Sequence, residues 1–265
     1  MPSKTLRRRE NGESRHKGGK AGGLLYVKMN RIVLVALKNV WKLPTAWFKL
    51  CHYAKHTDEY SFEEKYKHIR YILRHVIPYG NIDLNVTGIE NIPKEDGMMI
   101  VGNHQGIFDI IAIVHTFERP IFAVLKKELN EIPFLREIVN CTKSFPMDRE
   151  DIRQSMKVIQ EATKEILSGR NLLIFPEGTR SKQQNEMLEF HSGSFKCATK
   201  SKCPILPFAL IDSFKVLDEK GSRPVSVQLH YLKPIYYDEY KDLNTKELAD
   251  LVQGRIAKAI EAYAI

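Results

Sequence analysis

The sequence predicts an α/β fold: a mixed, mostly parallel sheet flanked by helices, preceded by an N-terminal amphipathic two-helix motif. Three observations predict it. Beyond Gly80, short apolar runs alternate with amphipathic helical stretches, the pattern of a sheet covered by helices. Between Leu24 and Pro78 the apolar periodicity is that of two helices. Basic charge is concentrated at the start: residues 1–55 carry 13 Lys and Arg against only Glu10 and Glu13, although the whole chain has 41 basic and 32 acidic side chains. The remaining 210 of the 265 residues therefore sum to about −2, so the net charge of +9 belongs to one end of the molecule.

Residues 1–23 are rich in Lys, Arg, Gly and Ser and read as a basic tail without packed structure. They lack the apolar stretch of a secretory signal. Residues 24–50 are helical in pattern. At ~100° per residue, Lys28, Arg31, Lys38, Lys42 and Lys49 fall within an arc of ~80°. Tyr26, Met29, Val33, Ala36, Leu37 and Val40 occupy the opposite side, with Trp41 and Trp47 within or beside it. Pro44 is expected to kink or split this helix. A helix whose every charge is Lys or Arg fits an anionic membrane surface better than a protein core, and residues 24–50 are expected to lie in the bilayer interface. Ser61 and Glu64 have capping-box spacing and open a second helix, which Pro78 is expected to stop after Ile77. The chain thus divides into a tail (1–23), a two-helix membrane-associating motif (24–79) and an α/β catalytic domain (80–265).

Within that domain, strands are expected at 82–86, 98–101, 121–125, 144–147, 172–175, 205–211 and 225–229. Helices are expected at 110–115, 133–139 and 152–167, the last closed by Gly169. A final helix starts from an Asn244 cap with Glu247 three residues on and runs to Tyr263. No uninterrupted apolar run reaches the ~18 residues of a membrane span, which excludes a polytopic membrane protein. Cys51, Cys141, Cys197 and Cys203 form no C-x-x-C pair and no metal spacing, so reduced thiols and no bound metal are expected.

Two polar clusters follow predicted strands, where an α/β sheet places its sites. The first is Gly102-Asn103-His104-Gln105-Gly106-Ile107-Phe108-Asp109. On a regular helix His104 and Asp109 would sit ~140° apart. They meet only if His104 lies on the turn before a helix and Asp109 in its first turns, which Asn103 and Gly106 permit. A carboxylate on one imidazole nitrogen fixes the tautomer and leaves the other nitrogen free to accept a proton. No G-x-S-x-G nucleophile motif is present, which favours a base acting directly on a substrate hydroxyl. The second cluster is Phe175-Pro176-Glu177-Gly178-Thr179-Arg180. A glycine that lets backbone approach an anion, a hydroxyl and a planar guanidinium suit phosphate oxygens. Taken singly, His104 is as compatible with a loop histidine, Asp109 with a helix-start carboxylate, and the second cluster with a surface turn.

Together these residues resemble the glycerolipid acyltransferase family, specifically the bacterial 1-acyl-sn-glycerol-3-phosphate (lysophosphatidic acid) acyltransferases. His104 and Asp109 match the family's N-H-x-x-x-x-D block, and Glu177 to Arg180 match its E-G-T-R block. Phe145-Pro146-Met147-Asp148-Arg149, Pro204-Ile205-Leu206-Pro207 and Lys126-Lys127-Glu128-Leu129 resemble further blocks, in the family's order. One departure is that Cys141-Thr142-Lys143-Ser144 lacks the glycine usual before the second block's Phe. The resemblance implies that His104, oriented by Asp109, deprotonates the sn-2 hydroxyl of a lysophospholipid acceptor, which attacks the thioester of acyl-CoA or acyl-carrier-protein to give phosphatidic acid. It implies no cofactor. It places Arg180, Arg149 and Lys126 on the acceptor phosphate, with Asn103, Glu177, Gly178 and Thr179 shaping the same pocket. A location at the cytoplasmic face of the cell membrane follows, peripheral or monotopic. Two rivals carry less of the sequence: an acyltransferase for another acceptor, such as glycerol 3-phosphate or another lysolipid, and a membrane-binding protein without activity. A nucleic-acid binder is disfavoured, because the basic residues neither spread over the main domain nor interleave with aromatics.

Overall fold

The computed structural model describes residues 30–217 and 219–264. The tail assigned to 1–23 lies outside the described residues, as do Tyr26, Lys28 and Met29 of the first helix. The strands are β1 (Ile82–Thr87), β2 (Met99–Gly102), β3 (Ile121–Lys126), β4 (Phe145–Met147), β5 (Asn171–Ile174), β6 (Ile205–Ile211) and β7 (Val225–Tyr231). They form one sheet in the order β1-β7-β6-β2-β5-β3-β4. From β6 to β4 the strands run parallel, while β7 runs antiparallel to β6 and β1 pairs parallel with β7. The expected mixed, mostly parallel sheet is therefore present.

The sequence of the central strands explains their place. Met98, Met99, Ile100 and Val101 are apolar without alternation, as required of a strand covered on both faces. On one face Met99, Val101, Leu172 and Ile174 pack on α7 (Ile152–Leu167), α8 (Lys196–Ser201) and α11 (Thr245–Tyr263). On the other, Met98, Ile100 and Leu173 pack on α2 (Leu43–Lys55), α3 (Phe62–Leu73), α5 (Phe108–Thr116) and α6 (Pro133–Thr142). α11 begins at the expected Asn244–Glu247 capping box. Gly102 closes β2 against the Phe208 ring of β6, where a Cβ would lie 2.1 Å from a ring carbon. β2 and β5 are neighbours, yet the chain leaves β2 through α5 on one face and leaves β5 towards α8 on the other. Their carboxyl ends thus open between diverging loops, which is where such sheets bind ligands.

The leading segment is split, one of the two outcomes expected from Pro44, but the break precedes the proline. It divides into α1 (Arg31–Lys38) and α2, separated by a turn over residues 39–42. Pro44 sits in the first turn of α2 rather than at a kink, because its missing N–H has no partner to lose there. α3 starts at the Ser61 cap as expected but ends at Leu73, and Pro78 lies within a short α4 (Val76–Tyr79) instead of stopping a helix. Arg31 also departs from the cationic arc. It is 5% exposed, and its guanidinium donates to the carbonyls of Val216 (2.7 Å), Arg223 (2.9 Å) and Gly80. It fastens α1 to the domain, because three carbonyls from separate segments are matched by one fork of donors. Leu34, Ala46 and Leu50 face inward, while Ile32, Val33, Leu37, Val40 and Leu43 face solvent with Trp41, 92% exposed, and Phe48, 71% exposed.

Candidate active site

β2 ends at Gly102, and residues 103–107 carry the chain into α5. Asn103 continues the sheet with its side chain: its amide donates to the Leu210 carbonyl and accepts from the Leu210 N–H, both at 2.8 Å. Expected to line the substrate pocket, Asn103 instead ties β2 to β6, since both ends of its amide are occupied by main chain. His104 then stands on the turn and Asp109 in the first turn of α5. His104 Nδ1 lies 2.8 Å from Asp109 Oδ2. The same oxygen accepts from the N–H groups of Gln105 (2.6 Å) and Gly106 (3.0 Å), and Oδ1 accepts from the Ser213 hydroxyl. With 0% exposure, Asp109 has its hydrogen-bonding capacity met by these donors rather than by water. With Asp109 accepting, Nδ1 carries the ring proton and Nε2 is the basic nitrogen.

The main chain of His104 is held as firmly as its ring. Its N–H donates to Glu177 Oε1 at 2.7 Å, and its carbonyl accepts from the Ser181 N–H at 2.7 Å. Glu177 Oε2 accepts from the Leu188 N–H at 2.9 Å. Both carboxylate oxygens thus grip backbone, so Glu177 joins the turn after β5 to the turn after β2 rather than facing a ligand. Burial raises the Glu177 carboxyl above its usual range, opposed by the N–H groups of Leu188 and His104. The imidazole stacks on Phe175 with centroids 4.2 Å apart and an interplanar angle of 20°. This leaves its side chain 17% exposed.

Gly178 has φ +73°, a left-handed conformation that favours glycine. A Cβ there would lie 2.9 Å from His191 Cδ2 and 3.7 Å from Arg149 Cζ. The close approach is thus that of the His191 ring, with the Arg149 guanidinium in ordinary contact from the loop after β4. Thr179 and Arg180 follow, exposed, on that turn. Lys126 ends β3, where it pairs in register with Met147, and its ammonium sits 3.0 Å from Glu128. The structure therefore gathers His104, Asp109, Glu177, Gly178 and Arg149 around the ends of β2 and β5, with Lys126 on the adjoining strand end facing its own carboxylate. Sequence reasoning missed Ser213, and it placed Phe175 in the second cluster without giving it a role. The signal for Ser213 was available, since Asp212-Ser213 also directly follows a strand's carboxyl end.

A buried carboxylate holding a mostly buried imidazole by one nitrogen, beside a turn that bears Arg180 and is approached by Arg149, defines a site able to take a proton from one group and hold an anion nearby. Comparison with known proteins agrees with that class. An acyltransferase family model matches residues 83–211. The 1-acyl-sn-glycerol-3-phosphate acyltransferase of Borreliella burgdorferi is 30% identical over 186 residues, 69% of this chain and 74% of the relative. That of Helicobacter pylori is 32% identical over 159 residues, 56% and 67% of the two chains. In fold, the chain superposes on the crystal structure of the 1-acyl-sn-glycerophosphate (LPA) acyltransferase PlsC from Thermotoga maritima with a TM-score of 0.71 and 22% identity, covering 88% of this chain and 92% of that one. The chain belongs to the 1-acyl-sn-glycerol-3-phosphate acyltransferase family, and it is an O-acyltransferase.

Proposed function

We propose that this chain transfers a fatty acyl group from acyl-CoA or acyl-carrier-protein to the sn-2 hydroxyl of 1-acyl-sn-glycerol 3-phosphate, giving phosphatidic acid. The observation that carries the proposal is the 2.8 Å contact between His104 Nδ1 and Asp109 Oδ2 at the carboxyl end of β2. His104 Nε2 takes the proton of the acceptor hydroxyl as its oxygen attacks the thioester carbonyl carbon. The tetrahedral intermediate collapses with cleavage of the C–S bond, and the departing thiolate takes the proton back from the imidazolium. No acyl-enzyme, metal or cofactor enters these steps. Arg180 and Arg149 bind the acceptor phosphate, where planar guanidinium groups suit bidentate contact, and Thr179 borders them. Lys126 adds positive charge from the neighbouring strand end. Fixing phosphate and hydroxyl relative to His104 aligns the attack, the main rate gain open to a reaction without covalent intermediate.

Acceptor and product both reside in a membrane, and the exposed face of α1 and α2 suits one. Ile32, Val33, Leu37, Val40, Trp41 and Phe48 form an outward apolar surface, with exposed Lys38, Lys42 and Lys49 beside it to meet anionic headgroups. Among the described residues no helix is long and apolar enough to cross a membrane. The proposed role of this apolar and basic face is peripheral or monotopic docking at the cytoplasmic leaflet. The test of the proposal is incubation of the purified chain with defined acyl-CoA and acyl-carrier-protein donors and a panel of lysolipid and glycerol 3-phosphate acceptors. Mass spectrometry should find phosphatidic acid from the lysophosphatidic acid acceptor; product from another acceptor alone would replace the substrate assignment.

A further inference from the structure

We infer that Ser213 is a positioning residue for the His104–Asp109 pair, and that its hydroxyl sets the pH range over which His104 works as a base. The inference rests on the base role proposed above. Asp109 is held from two independent elements. Its Oδ2 is bonded by the turn carrying His104, through His104 Nδ1 and the N–H groups of Gln105 and Gly106. Its Oδ1 is bonded by Ser213, from the turn that follows β6 and lies 104 residues further along the chain. A carboxyl group anchored at one oxygen still turns about its terminal torsion, which has a broad minimum. The second anchor fixes the plane of the carboxylate, and with it the direction in which the imidazole is held.

Ser213 is itself positioned by a closed set of bonds. Gln105 Oε1 accepts from the Ser213 N–H at 2.9 Å and lies 3.0 Å from its hydroxyl. Gln105 Nε2 donates to Asn185 Oδ1 at 2.8 Å, and that oxygen also accepts from the Asp212 N–H at 2.9 Å. Asn185 Nδ2 returns to Asp212 Oδ1 at 3.1 Å. Asp212 adopts φ +64°, an uncommon left-handed conformation for a residue other than glycine, and this turns both donors of Ser213 towards the 105–109 segment. Ser213 has 0% exposure, so water does not compete for its hydroxyl. A hydroxyl has one proton to give, and the charged carboxylate is a stronger acceptor than an amide oxygen already bonded.

The direction of the effect follows. The Ser213 hydroxyl stabilises the negative charge of Asp109. Without it, that charge is less spread and holds a proton on His104 more strongly. The imidazole then stays protonated to higher pH, and the acidic limb of the pH–rate profile moves upward. The charged groups nearest this network are Glu177, which accepts from the His104 N–H, Arg149 and His191, which flank Gly178, and Asp212 in its ion pair with Lys215 at 2.8 Å. All of them remain in a Ser213 variant.

The test uses Ser213→Ala and Ser213→Cys in the full chain on vesicles, measuring acyl transfer to lysophosphatidic acid from pH 5 to 9. Cys fills the serine volume but donates weakly, so it separates the hydrogen bond from packing. Both variants should raise the acidic limb of kcat/KM by about half a pH unit and lower its plateau roughly three- to tenfold, with the acceptor KM unchanged. An NMR titration of the His104 imidazole should show the same shift without any turnover. A lowered plateau with an unmoved limb and an unmoved titration would make Ser213 a packing residue and overturn the inference. Wild-type protein that forms no product would refute the proposed reaction, while the titration would still decide for or against Ser213.

Discussion

Asp109 and Glu177 are both buried carboxylates, but the groups around them give them different work. Asp109 accepts from an imidazole, two backbone N–H groups and a hydroxyl, whereas Glu177 bonds two main-chain N–H groups. Asp109→Asn places an amide N–H against His104 Nδ1 or favours the tautomer that blocks Nε2, so kcat should fall by about 10³–10⁴ while the protein stays folded; stopped thioester assays with circular dichroism check it. Gly178→Ala forces a side chain into left-handed backbone and against the His191 ring. It should cost about 1–2 kcal/mol in chemical denaturation and raise the acceptor KM by shifting the Glu177–Arg180 turn and the His191 ring. The histidine and its carboxylate were legible in the sequence because they are five residues apart and flanked by Asn103 and Gly106. Ser213 and Leu188 were not, because contacts from distant segments leave no local spacing. The backbone bonds of Asn103 and Glu177 were illegible for the same reason: polarity next to a strand end does not tell which neighbouring main chain a side chain reaches.

Among the elements, those carrying their own signals were readable. The Asn244 and Ser61 caps, the non-alternating central strands and the long amphipathic α7 lie where their sequence places them. The leading helices were less so, since a single wheel was drawn through the turn at residues 39–42 and included Arg31, whose burial depends on carbonyls at Gly80, Val216 and Arg223. Arg31→Met should therefore lower the unfolding free energy by about 2–4 kcal/mol, as carbonyls lose their donors, and should do so equally without lipid. By contrast Trp41→Ser with Phe48→Ser should leave stability unchanged and weaken vesicle binding at least tenfold in sedimentation. α2 and α3 are joined by His68, whose Nε2 lies 3.0 Å from the Ala46 carbonyl. Burial, aided by Lys49, holds this imidazole below its usual value. Its folded form is neutral where the unfolded chain begins to take up a proton, so its contribution is complete above pH ~6.5 and is lost as pH falls below that. Thermal midpoints measured from pH 7.5 to 5 should decline, and His68→Gln should flatten the slope.

At the scale of the whole molecule, charge and site face one task. The first 55 residues sum to +11 and the other 210 to about −2, a polarity that suits the proposed docking on an anionic surface. Binding to vesicles containing phosphatidylglycerol should fall steeply as salt rises from 50 to 500 mM, with Lys38, Lys42 and Lys49 exchanged for Glu reproducing the high-salt result. The sheet supplies the rest: β2 and β5 end side by side, and their loops bring the base and the E-G-T-R turn to one opening. The most direct measurement is mass-spectrometric detection of phosphatidic acid made from 1-acyl-sn-glycerol 3-phosphate and a defined acyl-CoA by vesicle-bound wild-type, His104→Ala and Asp109→Asn proteins. Rapid product formation by the wild type, with losses of roughly 10³-fold or more in both variants at equal vesicle binding, is the expected result. Wild-type rates in either variant would contradict a base at His104 held by Asp109.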